Sequence, residues 1–463
     1  MEAMTLRELV SAVGGTPLGD FYDPDLTVTE VDTDSRNLHP GCLFLPLEGE
    51  RFDAHSFISG ALENGAAGCL TAREREKYLP GKFYIKVKNT QKALRDLAKH
   101  YKSKFDIPFI GVTGSVGKTT TKEMIAAVLS EKFSVHKTEL NFNNEVGLPL
   151  SLLSLNCTHQ ISVTEMGMNH FGEIDYLADI VEPEVALITN IGDSHIEFLG
   201  SRENILKAKC EIFPHLKKGG LAILNGDDPL LCTLKGTLPC ETLYCGKTPG
   251  LDYVASDLEH GDFGGMRCKV KTLHTTCDFD IPALGDHMIY PVLMAAAVGE
   301  HFGMTAEEIA RGVLRFAPTK MRMNLIDRAD GIRILNDSYN ANPQSMRAAV
   351  EVLAGSRSDY KVAVLGDMFE LGALAAPLHA GVGKFLAKSG IDCLVAIGDL
   401  ARHIYDAAET AQVPEVYWFA TREEALPVLR QVVKKNATIL VKASRGMAFE
   451  KIVEDLKGMT QDP

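Results

Sequence analysis

The chain has 463 residues, 45% of them hydrophobic and 24% charged, a balance that supports buried cores and is too long for one ordinary domain. Its net charge of −13, with no basic run to offset it, excludes nucleic acid and anionic membrane surfaces as main partners. No apolar run of ~18 residues predicts a membrane span, the mixed acidic and apolar start is no signal peptide, and ten cysteines without a Cys-x-x-Cys pair point to reduced thiols in a cytosol.

Residues 1–88 read as a small mixed α/β unit. Met1 to Val13 predicts an amphipathic helix, Thr27 to Val31 and Leu43 to Leu47 strands, and Phe57 to Asn64 a helix ended by Gly65. Strands at Gly68 to Thr71 and Tyr84 to Val87 close the unit. A connecting helix follows over 89–105. From 106 to 318 the rhythm is β-α-β, with strands at Ile107 to Val112, Gln160 to Thr164, Val185 to Asn190 and Gly220 to Asn225. This predicts a central P-loop domain on a mostly parallel sheet. An antiparallel extension covers Asp252 to Ile281, and a helix covers His287 to Phe302. Residues 319–463 alternate strands (Ile332 to Leu335, Lys361 to Leu365, Cys393 to Ile397, Val416 to Phe419, Ile439 to Lys442) with helices, a doubly wound, Rossmann-like C-terminal domain.

The chemistry is densest where the first central strand ends. Thr113-Gly114-Ser115-Val116-Gly117-Lys118-Thr119-Thr120 lies between that strand and an apolar helical stretch from Lys122 to Phe133. Strand, glycine-rich turn and helix aim backbone N–H groups and the positive end of a helix dipole at one point, which suits a phosphate chain. Lys118 would neutralise the outer phosphates and the Thr119 hydroxyl would hold Mg²⁺. The stretch departs from the Walker A pattern, because Val112 stands where that pattern needs glycine.

In open α/β sheets ligands bind beyond the carboxyl ends of the strands. Glu165 follows one such strand, and Asn190 and His195 follow the next. With Thr119 they predict a Mg²⁺ site, although a helix N-terminal acid and a half-buried histidine would leave the same pattern. Lys209 falls in the middle of the apolar face Ile205, Leu206, Ile212, Phe213 of a helix expected from Arg202 to His215. It is either a lysine that snorkels or a desolvated amine of lowered pKa that reacts with CO₂. The loop Asn141 to Gly147, with Asn143 and Asn144, holds substrate or caps a helix. In the last unit Arg322, then Asp337, Tyr339 and Asn340, then the loops Gly366 to Gly372 and Lys442 to Gly446 all sit at strand ends. Asp337 suits a ribose diol or an Asx turn.

Taken together these residues resemble the Mur ligase family over nearly the whole chain. Its phosphate loop is the shorter Thr-Gly-x-x-Gly-Lys-Thr found here, and Asp34-Ser35-Arg36 looks like its uridine-diphosphate motif. Asn141 to Pro149, Glu165-Met166-Gly167, Asp337 to Pro343 and Leu365 to Gly372 are similar to the branch that adds D-alanyl-D-alanine. The resemblance implies an ATP-dependent ligase in which ADP and phosphate are released. UDP-MurNAc-tripeptide and D-alanyl-D-alanine would be its substrates, in the cytoplasmic phase of peptidoglycan synthesis, with the chain acting as a monomer. It implies ATP contacts from Gly114, Ser115, Val116, Gly117, Lys118, Thr119, Thr120, Asn190, Arg322, Asp337, Tyr339 and Asn340. It implies two Mg²⁺ ions held by Thr119, Glu165, His195 and a carbamylated Lys209, with Lys118, Lys209, His195 and Arg322 catalytic. Substrate contacts are implied for Ser35, Arg36, Asn143, Asn144, Ser444 and Arg445. Met288 and Pro291 stand where the family often has asparagines, so the helix after His287 is left out of the expected ATP contacts. A folylpolyglutamate synthase is disfavoured by Asp34-Ser35-Arg36, another Mur ligase by the branch motifs, and a nucleotide switch by the absence of a guanine motif and by Lys209.

Overall fold

A computed structural model describes residues 1–49, 52–74, 77–139, 141–261 and 263–459. It is a three-domain α/β architecture built on three larger sheets. In the N-terminal unit the sheet order is Thr16–Leu18, Phe83–Lys86, Gly68–Thr71, Leu43–Phe44, Val31–Asp32. The strand expected over Thr27 to Val31 is divided. Thr27–Val28 pairs antiparallel with Met4–Thr5, while Val31–Asp32 pairs parallel with Leu43–Phe44. Two ladders claim one apolar run, a tertiary choice that alternation cannot encode. The first helix is shorter than expected, Leu6–Val13, capped by the Thr5 hydroxyl and stopped at left-handed Gly14 (φ +56°).

The connecting helix Thr90–Lys102 is capped by Asn89 and buries Leu94, Leu97 and Tyr101. Arg95 and Lys99 pair with Asp179, and Lys102 with Glu182, so this helix is riveted to the central unit.

The central sheet has nine strands, in the order Thr276–Ile281, Met266–Lys271, Tyr253–His260, Glu241–Gly246, Leu221–Asn225, Val185–Ile188, Phe109–Thr113, Ile161–Glu165, Val135–Lys137. All neighbours are parallel except along the extension expected over Asp252 to Ile281: Tyr253–His260 joins the parallel set at its start, beside Glu241–Gly246, and pairs antiparallel with Met266–Lys271, which pairs antiparallel with Thr276–Ile281. The helix after the phosphate loop is Lys118–Leu129, a full turn earlier than its apolar spacing suggested. Its first turn is Lys-Thr-Thr-Thr, polar because it faces the site. The helix expected from Arg202 to His215 ends at Cys210, and a short 3-10 turn Phe213–His215 follows. Pro214 has no N–H to continue the ladder.

The C-terminal sheet runs Asn324–Asp327, Arg333–Asn336, Ala437–Lys442, Tyr360–Gly366, Cys393–Ile397, Glu415–Phe419. Only the first pair is antiparallel, and that edge strand was not anticipated. The last strand in sequence returns to lie between Arg333–Asn336 and Tyr360–Gly366. The loops after these three neighbours therefore open side by side, and they carry Asp337, Glu370 and Arg445. One continuous buried cluster includes Met4, Phe109 and Leu335, so apolar packing runs through all three units. No helix among the described residues is long and apolar enough to cross a membrane.

Candidate active site

Gly114 and Gly117 shape the phosphate loop. Gly114 has φ +148°, and a Cβ there would stand 1.9 Å from Thr189 Oγ1. Gly117, at φ +83°, is the left-handed N-cap of Lys118–Leu129. The loop is braced by the neighbouring strand end. Ser115 N–H donates to the Asn190 carbonyl (3.0 Å), Val116 N–H to Asn190 Oδ1 (2.9 Å), and Thr189 Oγ1 to the Val116 carbonyl (2.6 Å). Asn190 thus supports the loop from below, and Val116 N–H is already used. The first turn of the helix, whose N–H groups have no intrahelical acceptor, lines the cavity.

Lys118 is half-buried, with its ammonium donating to the Gly114 carbonyl at 2.9 Å. Burial pulls its pKa down. Thr119 Oγ1 donates to Glu165 Oε2 at 2.8 Å and receives Arg322 Nη2 at 3.1 Å. Asn143 Nδ2 donates to the other Glu165 oxygen at 2.8 Å. Glu165 is 2% exposed, and its direct partners are neutral. A buried carboxylate without a direct counter-charge beside a hydroxyl suits a cation that takes oxygen ligands.

His195 holds a left-handed backbone (φ +63°), and its Nδ1 lies 2.6 Å from Glu370 Oε2 of the C-terminal domain. Glu370 is left-handed too, at φ +62°, and the contact holds its carboxyl below the usual range. Lys209 is 1% exposed. Among the described residues it has no hydrogen-bond or ion-pair partner, and burial, helped by repulsion from Lys118, pushes its pKa well down. The same helix end packs Ile212 against Gly111 of the strand that feeds the phosphate loop. Snorkelling is thereby ruled out for Lys209.

From the C-terminal side, Arg322 lies over the Tyr339 ring at 4.3 Å. Asp337 accepts from Met323 N–H at 3.1 Å and pairs with the buried Lys442 ammonium, which also donates to the Asn340 carbonyl at 2.9 Å. Asn342 Nδ2 reaches across to Ser194 Oγ at 2.9 Å.

These groups surround one cavity of about 820 Å³. Ser115 to Thr120, Asn143, Asn144, Glu165, Asn190, His195, Arg322, Asp337, Tyr339 and Asn340 all line it. Gly114 and Lys209 are not among its lining residues. Ser35 and Arg36 stand apart, in the N-terminal unit, where Asp34 grips the Arg36 guanidinium through two bonds of 2.9 and 2.8 Å and is itself held down at about 2. Ser444 also lies outside the cavity. It is buried, and its hydroxyl accepts Phe369 N–H at 2.9 Å, so it shapes the loop that carries Glu370. Arg445 is exposed and pairs with Glu450 at 3.2 Å.

Sequence reasoning missed Glu370 and Lys442 as site residues although both lie in loops it had marked. A charged residue next to a strand end was the signal, but partners on other strands are invisible in one dimension. The helix set aside because of Met288 and Pro291 nonetheless walls the cavity with His287, Met288, Tyr290 and Pro291.

Comparison with known proteins agrees with this layout. Residues 27–102, 112–299 and 321–445 match, in turn, the Mur ligase family catalytic domain, the Mur ligase middle domain and the Mur ligase glutamate ligase domain. The UDP-N-acetylmuramoyl-tripeptide–D-alanyl-D-alanine ligase of Bacillus subtilis is 40% identical over 455 residues, covering 98% of each chain. A crystal structure of MurF from Acinetobacter baumannii superposes with a TM-score of 0.92 at 33% identity, covering 99% of each chain. MurF from Thermotoga maritima, solved in complex with ADP, gives 0.82 at 30% identity, covering 92% of this chain and 97% of that one.

Proposed function

The chain belongs to the Mur ligase family, and we infer that it is an ATP-dependent, ADP-forming ligase joining D-alanyl-D-alanine to the C-terminal carboxylate of UDP-MurNAc-tripeptide. The single observation that carries this reading for the site is the 3.1 Å bond from Arg322 to Thr119. It sets a guanidinium of the C-terminal domain against the phosphate loop, so a triphosphate is gripped from two domains.

The carboxylate oxygen of the tripeptide attacks the γ-phosphorus, the bond to the β-phosphate oxygen breaks, and ADP leaves. The amine of D-alanyl-D-alanine then attacks the acyl carbon, loses a proton, and inorganic phosphate departs. Both reactants of the first step are anions, so charge neutralisation and alignment carry most of the catalysis. Lys118 swings from the Gly114 carbonyl to the β- and γ-phosphates. Arg322, held flat on Tyr339, meets the γ-phosphoryl group from the other side. Asp337, fixed by Met323 N–H and Lys442, takes the ribose hydroxyls, and Tyr339 and Asn340 flank them. Glu165, Thr119 and His195 would hold Mg²⁺, which when bound offsets phosphate charge. Lys209 would join them as a carbamate: its neutral amine is the form that reacts with CO₂, and the nearby Lys118 charge favours the resulting anion.

The N-terminal domain, through Ser35 and Arg36, takes the uridine diphosphate end. Asn143 and Asn144 border the tripeptide, and Arg445 on the C-terminal domain meets the dipeptide carboxylate. Glu370 on His195 is the contact by which the third domain closes over the second and keeps water from the acyl phosphate.

Phosphate release tests the reading. ADP and phosphate should form at least tenfold faster when tripeptide nucleotide and D-alanyl-D-alanine are both present. Equal release without the dipeptide would overturn it.

A further inference from the structure

The sheet order divides the cavity. Glu165 ends the strand on one side of the phosphate loop, with Asn143 beside it. Asn190, and beyond it Asn225, Asp227 and Asp228, end the two strands on the other side. Given the proposed function, on which this inference rests, the acceptor carboxylate belongs on the Glu165 side. The nucleoside is left the opposite wall, closed by Ala283, Leu284, Met288, Pro291 and Phe316.

Almost every polar side chain on that wall is already spent inside the protein. Asn225 Nδ2 donates to the Thr189 carbonyl (3.1 Å), and its Oδ1 accepts Asp227 N–H (2.9 Å). The Asp227 carboxylate accepts Lys247 N–H, Thr248 N–H and hydroxyl, and the Tyr290 hydroxyl. Asp228 accepts Ile191 N–H on one oxygen and Leu230 and Leu231 N–H on the other. Met288 and Pro291 present no hydrogen-bonding amide. His287 lines the wall and has no hydrogen-bond partner among the described residues. A neutral imidazole offers one donor and one acceptor and can exchange them by changing tautomer. It can therefore accept from the 6-amino group of adenine or donate to the 6-oxo group of hypoxanthine or guanine.

We propose that this nucleotide site takes purine triphosphates as a class, because among the described residues the side chains of its base-facing wall are spent within the protein or, like His287, able to serve either 6-substituent. A pocket built to hydrogen-bond one polar group rejects an analogue lacking it by about 10⁴-fold or more, whereas packing alone discriminates by roughly 10–200-fold. ITP should therefore replace ATP with kcat/KM lowered no more than about 100-fold, GTP somewhat more because of its added 2-amino group.

The test uses the full-length enzyme with UDP-MurNAc-tripeptide, D-alanyl-D-alanine and Mg²⁺, and follows both the ligated product and the nucleoside diphosphate with ATP, ITP or GTP. Ligation with release of IDP from ITP inside that range supports the inference. Ligation with ATP but an ITP penalty above about 10³-fold overturns it and leaves the ligase reading intact. No ligation with any of the three overturns both.

Discussion

Lys209 gives the sharpest separation of stability from function. Its amine is 1% exposed, with no partner among the described residues, on a helix whose other buried residues include Ile205 and Ala208. Lys209→Met keeps an unbranched apolar side chain, one heavy atom shorter, and removes the unsatisfied polar end. A buried polar group without a partner costs about 1–3 kcal/mol, so in CO₂-depleted buffer the variant should be more stable than the wild type by roughly that amount. For a unit of this size each kcal/mol moves Tm by about 2–4 °C. The same variant should lose at least about 100-fold in kcat, since several kcal/mol of transition-state stabilisation go with the metal-holding anion. Lys209→Ala should be inactive as well and partly rescued by a short carboxylic acid. Calorimetry of the nucleotide-free protein and a phosphate-release assay read the two quantities. A variant that is both less stable and fully active would refute the reasoning, because it would make Lys209 a packing residue.

Gly114→Ala should cost at least tenfold in kcat/KM for ATP, because its Cβ would stand 1.9 Å from Thr189 Oγ1 in a backbone at φ +148°; unchanged kinetics would contradict the loop geometry. Glu370→Ala should lower kcat about tenfold with little change in KM for ATP, since the residue touches His195 and not the nucleotide; steady-state kinetics with an unaltered kcat would remove it from the closure. His136 is buried between Ser162 Oγ and the Ser151 carbonyl, and burial pulls its pKa from 6.5 to about 4. The unfolded chain therefore binds this proton first, so stability falls as pH drops from 6.5 toward 4, by up to roughly 3 kcal/mol. Urea unfolding should show a smaller loss over that window for His136→Gln than for the wild type, and equal losses would dismiss His136 as the cause.

Much of this molecule is legible in its sequence because the inner parallel strands of the central and C-terminal sheets are short apolar runs closed by polar loops. Those loops carry Lys118, Glu165, His195 and Asp337, and parallel topology then brings their ends together. What stayed hidden depends on partners far apart in the chain. Thr27 to Val31 is one run shared by two sheets. Asn324–Asp327 is an edge strand of mixed polarity that pairs only because Arg333–Asn336 lies beside it. The pairs Glu370 with His195 and Lys442 with Asp337 join residues on separate strands. The helix from Arg202 stops at Cys210 although the apolar spacing continues, because packing of Ile212 on Gly111 and the proline at 214 take over from the ladder. Lys209 was readable for the opposite reason: a charge in an apolar helical stripe is a local conflict.

The most direct measurement is the mass of the product formed from ATP, Mg²⁺, UDP-MurNAc-tripeptide and D-alanyl-D-alanine. The tripeptide nucleotide should gain the mass of the dipeptide less one water, with one ADP released per product. ADP accumulating while the tripeptide nucleotide keeps its mass would contradict the ligase assignment.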